Sequence, residues 1–444
     1  MEKIDWLAMS ACNLGRDIGN GRIDPVTLTD AYLDAIDGHS ARDQIFVRVM
    51  HKRARSEAKA AAKRAQDGTR RSLLDGVPIS WKDLFDTAGA ATEAGSGLLA
   101  GRMPDSDADV LTNATRAGLV CLGKTHMTEL AFSGLGLNPN TATPPNVFDA
   151  ERAPGGSSSG AATSVAFGLA AAGIGSDTGG SVRAPSGWNG LVGLKTTHGM
   201  LSTTGVVPLC PRFDTIGPLC RTVEDAGYLT FEMDGEAPPD LDGAELAGLR
   251  FLVLTNPVLA PIDDQPQATF EAAVSKLSAK GAHISHASLP EIEEAMSLAG
   301  CLFATEAYAT WKDEIEAHPG TVYRPVEERF RSGSVFSGVE YVQAWARLEQ
   351  LRAQYIDSVA GFDAVLIPNC PIIAPKTAEL LADDAYFSEK NLATLRNTRV
   401  GNLMGLCALT LPTGEDYCAI MAMGTPLGER KLLRVGAAIE KSLG

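Results

Sequence analysis

The sequence predicts an α/β fold, and three observations predict it. Segments with helical periodicity alternate with short apolar runs of strand length along almost the whole chain. Glycine makes up 45 of the 444 residues, more than the usual ~7%, which calls for many tight turns between short elements. Hydrophobic residues at 45% and charged residues at 21% sit near globular averages and exclude disorder and collagen.

The elements follow in order. Asp24 to Asp37 reads as a helix, with Asp24 as its cap and Pro25 in its first turn. A basic, alanine-rich helix covers Lys52 to Arg64, and a strand covers Gly76 to Trp81. A helix spans Asp107 to Ala117, before a buried strand at Leu119 to Leu122. Ser158 to Ala172 reads as a helix of small residues, able to approach a sheet closely because nothing bulky holds it away. The later chain repeats the theme with strand Leu249 to Leu254, helix Ala268 to Lys280 and strand Ala282 to His286. Helices at Glu291 to Glu316 and Val339 to Val359 come next, then strands at Ala364 to Ile367, Leu406 to Leu411 and Tyr417 to Met421. The length would suit about three domains of ~150 residues or one large one. The acidic, proline-bearing stretch Asp234 to Gly248 is either a boundary or a surface loop.

Composition also narrows function. With 39 Lys and Arg against 54 Asp and Glu, the net charge is −15, so a phosphate backbone is an unfavourable partner and no nucleic acid is expected. The longest small-and-apolar stretch, Val165 to Gly175, falls short of the ~20 residues that span a bilayer. The N-terminus lacks a signal-peptide core, so no membrane association and a cytoplasmic location are expected. The eight cysteines form no CxxC pair and read as reduced and buried, not as a disulfide or zinc framework.

Chemistry concentrates in PGGSSSGAATSVAFGLAAAGIGSDTGGSVRAPSG, Pro154 to Gly187. No lysine follows its glycines, which excludes a P-loop, and Thr178 stands where a dinucleotide fingerprint needs its third glycine. Gly156-Ser157-Ser158-Ser159-Gly160 satisfies G-x-S-x-G and would make Ser158 a nucleophile, with His198, His283, His286 or His318 as base. The competing reading places the nucleophile at Ser181. It follows Asp177-Thr178-Gly179-Gly180, whose glycines let several backbone N–H groups converge as an anion cradle for a tetrahedral oxyanion. A serine without histidine needs another base, and lysine serves when burial lowers its pKa. Lys82 ends an apolar strand within LDGVPISWKDLFDTAGAATEAGS and is the candidate; the alternative is an ordinary ion pair with Asp83 or Asp86.

These stretches resemble the amidase signature family. LGKTHMTELAFSGLG, SDTGGSVRAPSGWNGLVGLKTTHG and FDTIGPLCRTVEDAG carry the likeness together with the two already quoted, covering about Leu74 to Gly227. The resemblance implies one large α/β domain over residues 1–444, with a central mixed sheet covered by helices on both faces, so Asp234 to Gly248 becomes a loop. It implies Ser181 as nucleophile, Ser157 as a bridging serine after a cis peptide bond, and Lys82 as base. The oxyanion hole would be the N–H groups of Thr178, Gly179, Gly180 and Ser181, with no cofactor and no metal. Arg183, beside Asp177, is either a structural partner of a carboxylate or a substrate clamp. Ser159 stands where many members carry glycine, and Cys407 where they often carry proline. The implied activity is hydrolysis of a small-molecule carboxamide, by a chain that can act alone or as a homo-oligomer. The rivals are an ammonia-supplying subunit of a tRNA-dependent amidotransferase and a catalytically silent interaction protein. Ser332 to Gln350 lacks the G-Y-Y-D-A signature that amidotransferase subunits carry in this half.

Overall fold

The computed structural model describes residues 6–443. Its centre is an eleven-stranded mixed sheet. In chain order the strands are β1 (Phe46–Val49), β2 (Pro78–Lys82), β3 (Val120–Thr125), β4 (Ala172–Asp177), β5 (Val192–Lys195) and β6 (Thr215–Cys220). They continue with β7 (Arg250–Leu254), β8 (His283–Ala287), β9 (Ala364–Pro368), β10 (Ala408–Pro412) and β11 (Ala419–Met423). Their order across the sheet is β1-β3-β2-β4-β6-β5-β10-β11-β9-β7-β8. β2 runs parallel to both β3 and β4, and β7 parallel to β8 and β9, whereas the strands between β4 and β9 pair antiparallel. Every residue of β2, β3, β4, β5, β6, β9 and β11 is buried, so both faces of the sheet are covered. Only the edge strand β8 is largely solvated.

The sheet runs unbroken from β1 to β8, and residues 235–249 are a loop leading from helix Val223–Asp234 into β7. The stretch Asp234 to Gly248 therefore divides nothing. Asp24 caps helix Pro25–Gly38 by accepting from Thr27 N at 2.9 Å. The helix expected over Ser158 to Ala172 is shorter, Ser159–Ala166. Gly168 takes φ +73°, which breaks the helix, and the small-residue run continues as β4. That helix lies very close to the sheet: a Cβ at Gly173 would fall 2.7 Å from the Ala161 carbonyl oxygen. The segment Glu291 to Glu316 is two helices, Pro290–Ala299 and Thr305–Ala317, joined by a π-helical turn.

Candidate active site

β2 delivers Lys82 to the end of the sheet's buried centre. The side chain is fully buried, and its Nζ donates to Ser157 Oγ at 2.7 Å and to Ser176 Oγ at 2.8 Å. The strand-end ion pair does not form: Asp83 pairs with Lys124 at 3.0 Å and Asp86 with Arg102. Burial disfavours the ammonium and lowers the Lys82 pKa to about 7, although Asp177 and Asp214 pull the other way. A lysine in that state is part amine near neutrality, able to take a proton.

Ser157 follows a cis Gly156–Ser157 bond. Its loop is fixed by main-chain hydrogen bonds from Gly156 N to Gly134 O at 2.7 Å and from Thr128 N to Ser157 O at 3.1 Å. A Cβ on Gly156 would meet Gly136 N at 2.6 Å, so this crossing of loops requires glycine. Ser158 N donates to Ser181 O at 3.3 Å, which draws the two serine segments together. The Ser158 hydroxyl itself is buried and donates to Ser176 O at 3.3 Å. The histidines that a Ser158 nucleophile would need lie elsewhere: His283 and His286 are on edge strand β8, and His318 is at an exposed helix end. His198 is hydrogen-bonded to Pro211 O.

The turn after β4 carries Ser181, which is 4% exposed. Asp177 organises it. Its carboxylate accepts from Gly180 N at 2.8 Å, Val182 N at 3.1 Å and Asn402 Nδ2 at 2.9 Å, and bidentately from Arg183 Nε at 3.0 Å and Nη2 at 2.8 Å. Burial alone would raise the Asp177 pKa, but the Arg183 guanidinium holds it well below the usual carboxylate range. The remaining Arg183 side-chain hydrogen bonds reach Thr398 O, Asn402 Oδ1 and Met421 Sδ, and the side chain is fully buried. Arg183 is thus the structural partner of a carboxylate.

The Gly180 N–H is engaged by Asp177, whereas the N–H groups of Thr178, Gly179 and Ser181 meet no acceptor among the described residues. Of the four donors expected to form an anion cradle, three are available and Gly180 instead braces the turn. Gly180 has φ +139°, and a Cβ there would strike Thr398 Oγ1 at 2.1 Å; at Gly179 a Cβ would meet nothing within 4 Å. The turn therefore opens to space at Gly179. Thr178 Oγ1 donates to Asp214 Oδ1 at 2.5 Å, and Asp214 also accepts from the N–H groups of Leu209 and Cys210. No hydrogen bond joins Ser157 to Ser181 among the described residues, so Lys82 and Ser157 form the closed pair and Ser181 stands beside it.

Ser176 and Asp214 join the site without a signal in the sequence that singles them out. Asp214 lies inside FDTIGP, but a carboxylate at the start of one strand carries no hint of the threonine it meets. Ser176 is hidden because β4 reads as a continuation of the preceding small-residue helix, which conceals its pairing with β2.

A sheet-buried lysine joined to a serine, beside a glycine turn that carries a second serine, is the geometry with which the chain's likeness to known proteins agrees: it is an amidase, an enzyme that acts on amides. The chain belongs to the amidase family, whose model, described as Amidase, matches residues 27–433. It is 36% identical over 403 residues to the 2-amino-5-chloromuconic acid deaminase of Comamonas testosteroni, covering 88% of this chain and 87% of that one. It is 32% identical over 490 residues to a glutamyl-tRNA(Gln) amidotransferase subunit of Anaeromyxobacter dehalogenans (strain 2CP-C), covering 98% of each. Among solved structures, one described as a crystal structure of amidase superposes with a TM-score of 0.88 at 29% identity, over 98% of this chain and all of the other.

Proposed function

We propose that the chain hydrolyses a small-molecule carboxamide through an acyl-serine intermediate. Ser181 Oγ attacks the amide carbon while its proton moves to Ser157, whose own proton moves to the Lys82 amine. The oxyanion is held by the N–H groups of Thr178, Gly179 and Ser181. The Lys82 ammonium returns its proton through Ser157 to the leaving nitrogen, the C–N bond breaks, and ammonia or an amine departs. Water then attacks the ester by the same relay in reverse, releasing the carboxylate and restoring Ser181.

The observation that carries the reading is Lys82 itself, fully buried, 2.7 Å from Ser157 and in no ion pair among the described residues. Lys195, also buried and in no ion pair among the described residues, spends its ammonium on the Thr196 and Leu406 carbonyls, whereas Lys82 meets two serine hydroxyls. No helix among the described residues is long and apolar enough to cross a membrane. The eight free cysteines support work in the reducing cytoplasm.

The test is ammonia release by the purified chain from a panel of aliphatic, aromatic and dicarboxylic amides, without ATP or tRNA. The deaminase relative puts amino-substituted muconic acids on that panel. Steady turnover by the chain alone supports a free-standing amidase. Activity confined to glutamine and dependent on a second protein would favour the amidotransferase reading, which the amidotransferase relative keeps in view.

A further inference from the structure

Two arginines that line one cavity have no carboxylate partner among the described residues. Arg329 lies on helix Arg324–Arg331 and Arg399 on helix Thr398–Leu403, and both line a cavity of about 480 Å³ with Phe132, Phe303, Phe336 and Phe387. Neither forms an ion pair among the described residues. The Arg399 side chain makes no hydrogen bond there, and its Nη2 is buried without a partner. Arg329 lays its guanidinium over the Phe132 ring at 4.2 Å and gives Nη1 to Phe132 O at 2.7 Å, which leaves its other donors unused. Glu328, the acid on the cavity wall, is exposed and bound to Arg324 at 2.9 Å. Burial and the neighbouring Arg399 charge push the Arg329 pKa down to about 9, and burial alone pushes that of Arg399 down to about 10. Both side chains are partly buried; a charge withdrawn from water is ordinarily paired, and the arginine fork matches a carboxylate in shape and charge. Two such forks in an aromatic cavity lack an anion.

Hydrogen bonds link the cavity wall to the Ser181 turn by two routes. Thr398, next to Arg399, donates Oγ1 to Gly179 O at 2.8 Å and packs against Gly180. By the other route the Phe303 carbonyl accepts from Cys210 Sγ at 3.3 Å; Cys210 N in turn donates to Asp214, which holds Thr178. At about 480 Å³ the volume suits a small organic molecule.

We infer that this cavity receives the acyl part of the substrate, and that Arg329 and Arg399 bind a carboxylate at its far end. The substrate class is then the monoamide of a small dicarboxylic acid, and the hydrolysis product is a dicarboxylate. The inference rests on the amidase reading for the amide end of the molecule and on the arginines alone for the acid end.

Binding and turnover test the two ends separately. Succinate and adipate are titrated by calorimetry into full-length Ser181→Ala protein, alongside succinamide and adipamide. The same protein carrying Arg399→Gln, Arg399→Lys or Arg329→Gln is then titrated, with thermal unfolding as a check on folding. The dicarboxylates should bind at least about tenfold more tightly than the diamides, by the strength of charge-assisted hydrogen bonds. Either glutamine substitution should remove most of that preference, and Arg399→Lys should restore part of it. In the enzyme with Ser181 intact, kcat/KM for succinamic and adipamic acids should exceed that for butanamide and hexanamide by a similar factor. Equal binding of acids and diamides, or a preference untouched by both folded glutamine variants, overturns the inference. Amides turned over without preference for the acid also overturn it while leaving the amidase reading in place. Arginine-dependent binding of dicarboxylates with no turnover of any amide upholds the carboxylate site and overturns the amide end of the inference together with the amidase reading.

Discussion

Replacing Lys82 separates a catalytic base from a structural cation. Burial moves its pKa from 10.5 to about 7, a free-energy difference on the order of 5 kcal/mol at ~1.36 kcal/mol per pKa unit. At pH 7 about half of such a side chain is amine, whereas about one in three thousand would be for a lysine in water. The kcat/KM profile should therefore rise with pH through about 7 and then level off, because only the neutral form accepts a proton. Lys82→Ala should lose a factor of about 10² to 10⁴ at the plateau, the usual contribution of a positioned base. Stability carries an independent signature. With its folded pKa lowered, Lys82 binds more protons in the unfolded chain between pH 7 and 10.5, so its effect on stability becomes more favourable as pH rises through that window. The stability of wild type relative to Lys82→Met, from urea unfolding at several pH values, should climb accordingly. A flat pH–rate profile with most activity surviving in Lys82→Ala would refute the assignment.

Other expectations concern the same framework. Ser157→Ala removes the hydroxyl that Lys82 touches and should cost about 10² to 10⁴ in kcat/KM with folding intact by circular dichroism; near-normal kinetics would remove Ser157 from the relay. Arg183→Met leaves Asp177 buried and unpaired and should destabilise by about 3–5 kcal/mol in chemical denaturation, and a change below ~1 kcal/mol would count against the pairing. Gly173→Val drives a side chain into the Ala161 carbonyl and should cost about 1–3 kcal/mol by the same measurement. Iodoacetamide at neutral pH should leave turnover intact, since burial raises the thiol pKa of residues such as Cys121 and Cys370 to about 12; stoichiometric inactivation would contradict this.

The parts of the molecule legible in the sequence are those fixed by local pattern. The Asp24 cap, the strand ending at Lys82 and the glycine turn before Ser181 depend on neighbours in the chain, and the structure places them as expected. Strands β1, β4, β5 and β6 are not legible because β1 and β5 are only four residues long, β4 is rich in glycine, and β6 carries Gly217 and Pro218; their strand character comes from the ladder they join. The use of Gly180 as a brace for Asp177 cannot be read from D-T-G-G-S, because every N–H in that turn looks alike until the carboxylate's direction is known. Arg329 and Arg399 are 70 positions apart, and only packing of their helices makes them neighbours.

The most direct measurement is the site of acylation. The full chain is treated with a fluorophosphonate, or stopped with acid during turnover of an amide, digested and mapped by mass spectrometry. Stoichiometric modification of Ser181 alone, absent in Ser181→Ala and strongly slowed in Lys82→Ala, is the predicted result. An adduct on Ser158, or on any residue other than Ser181, would contradict the account.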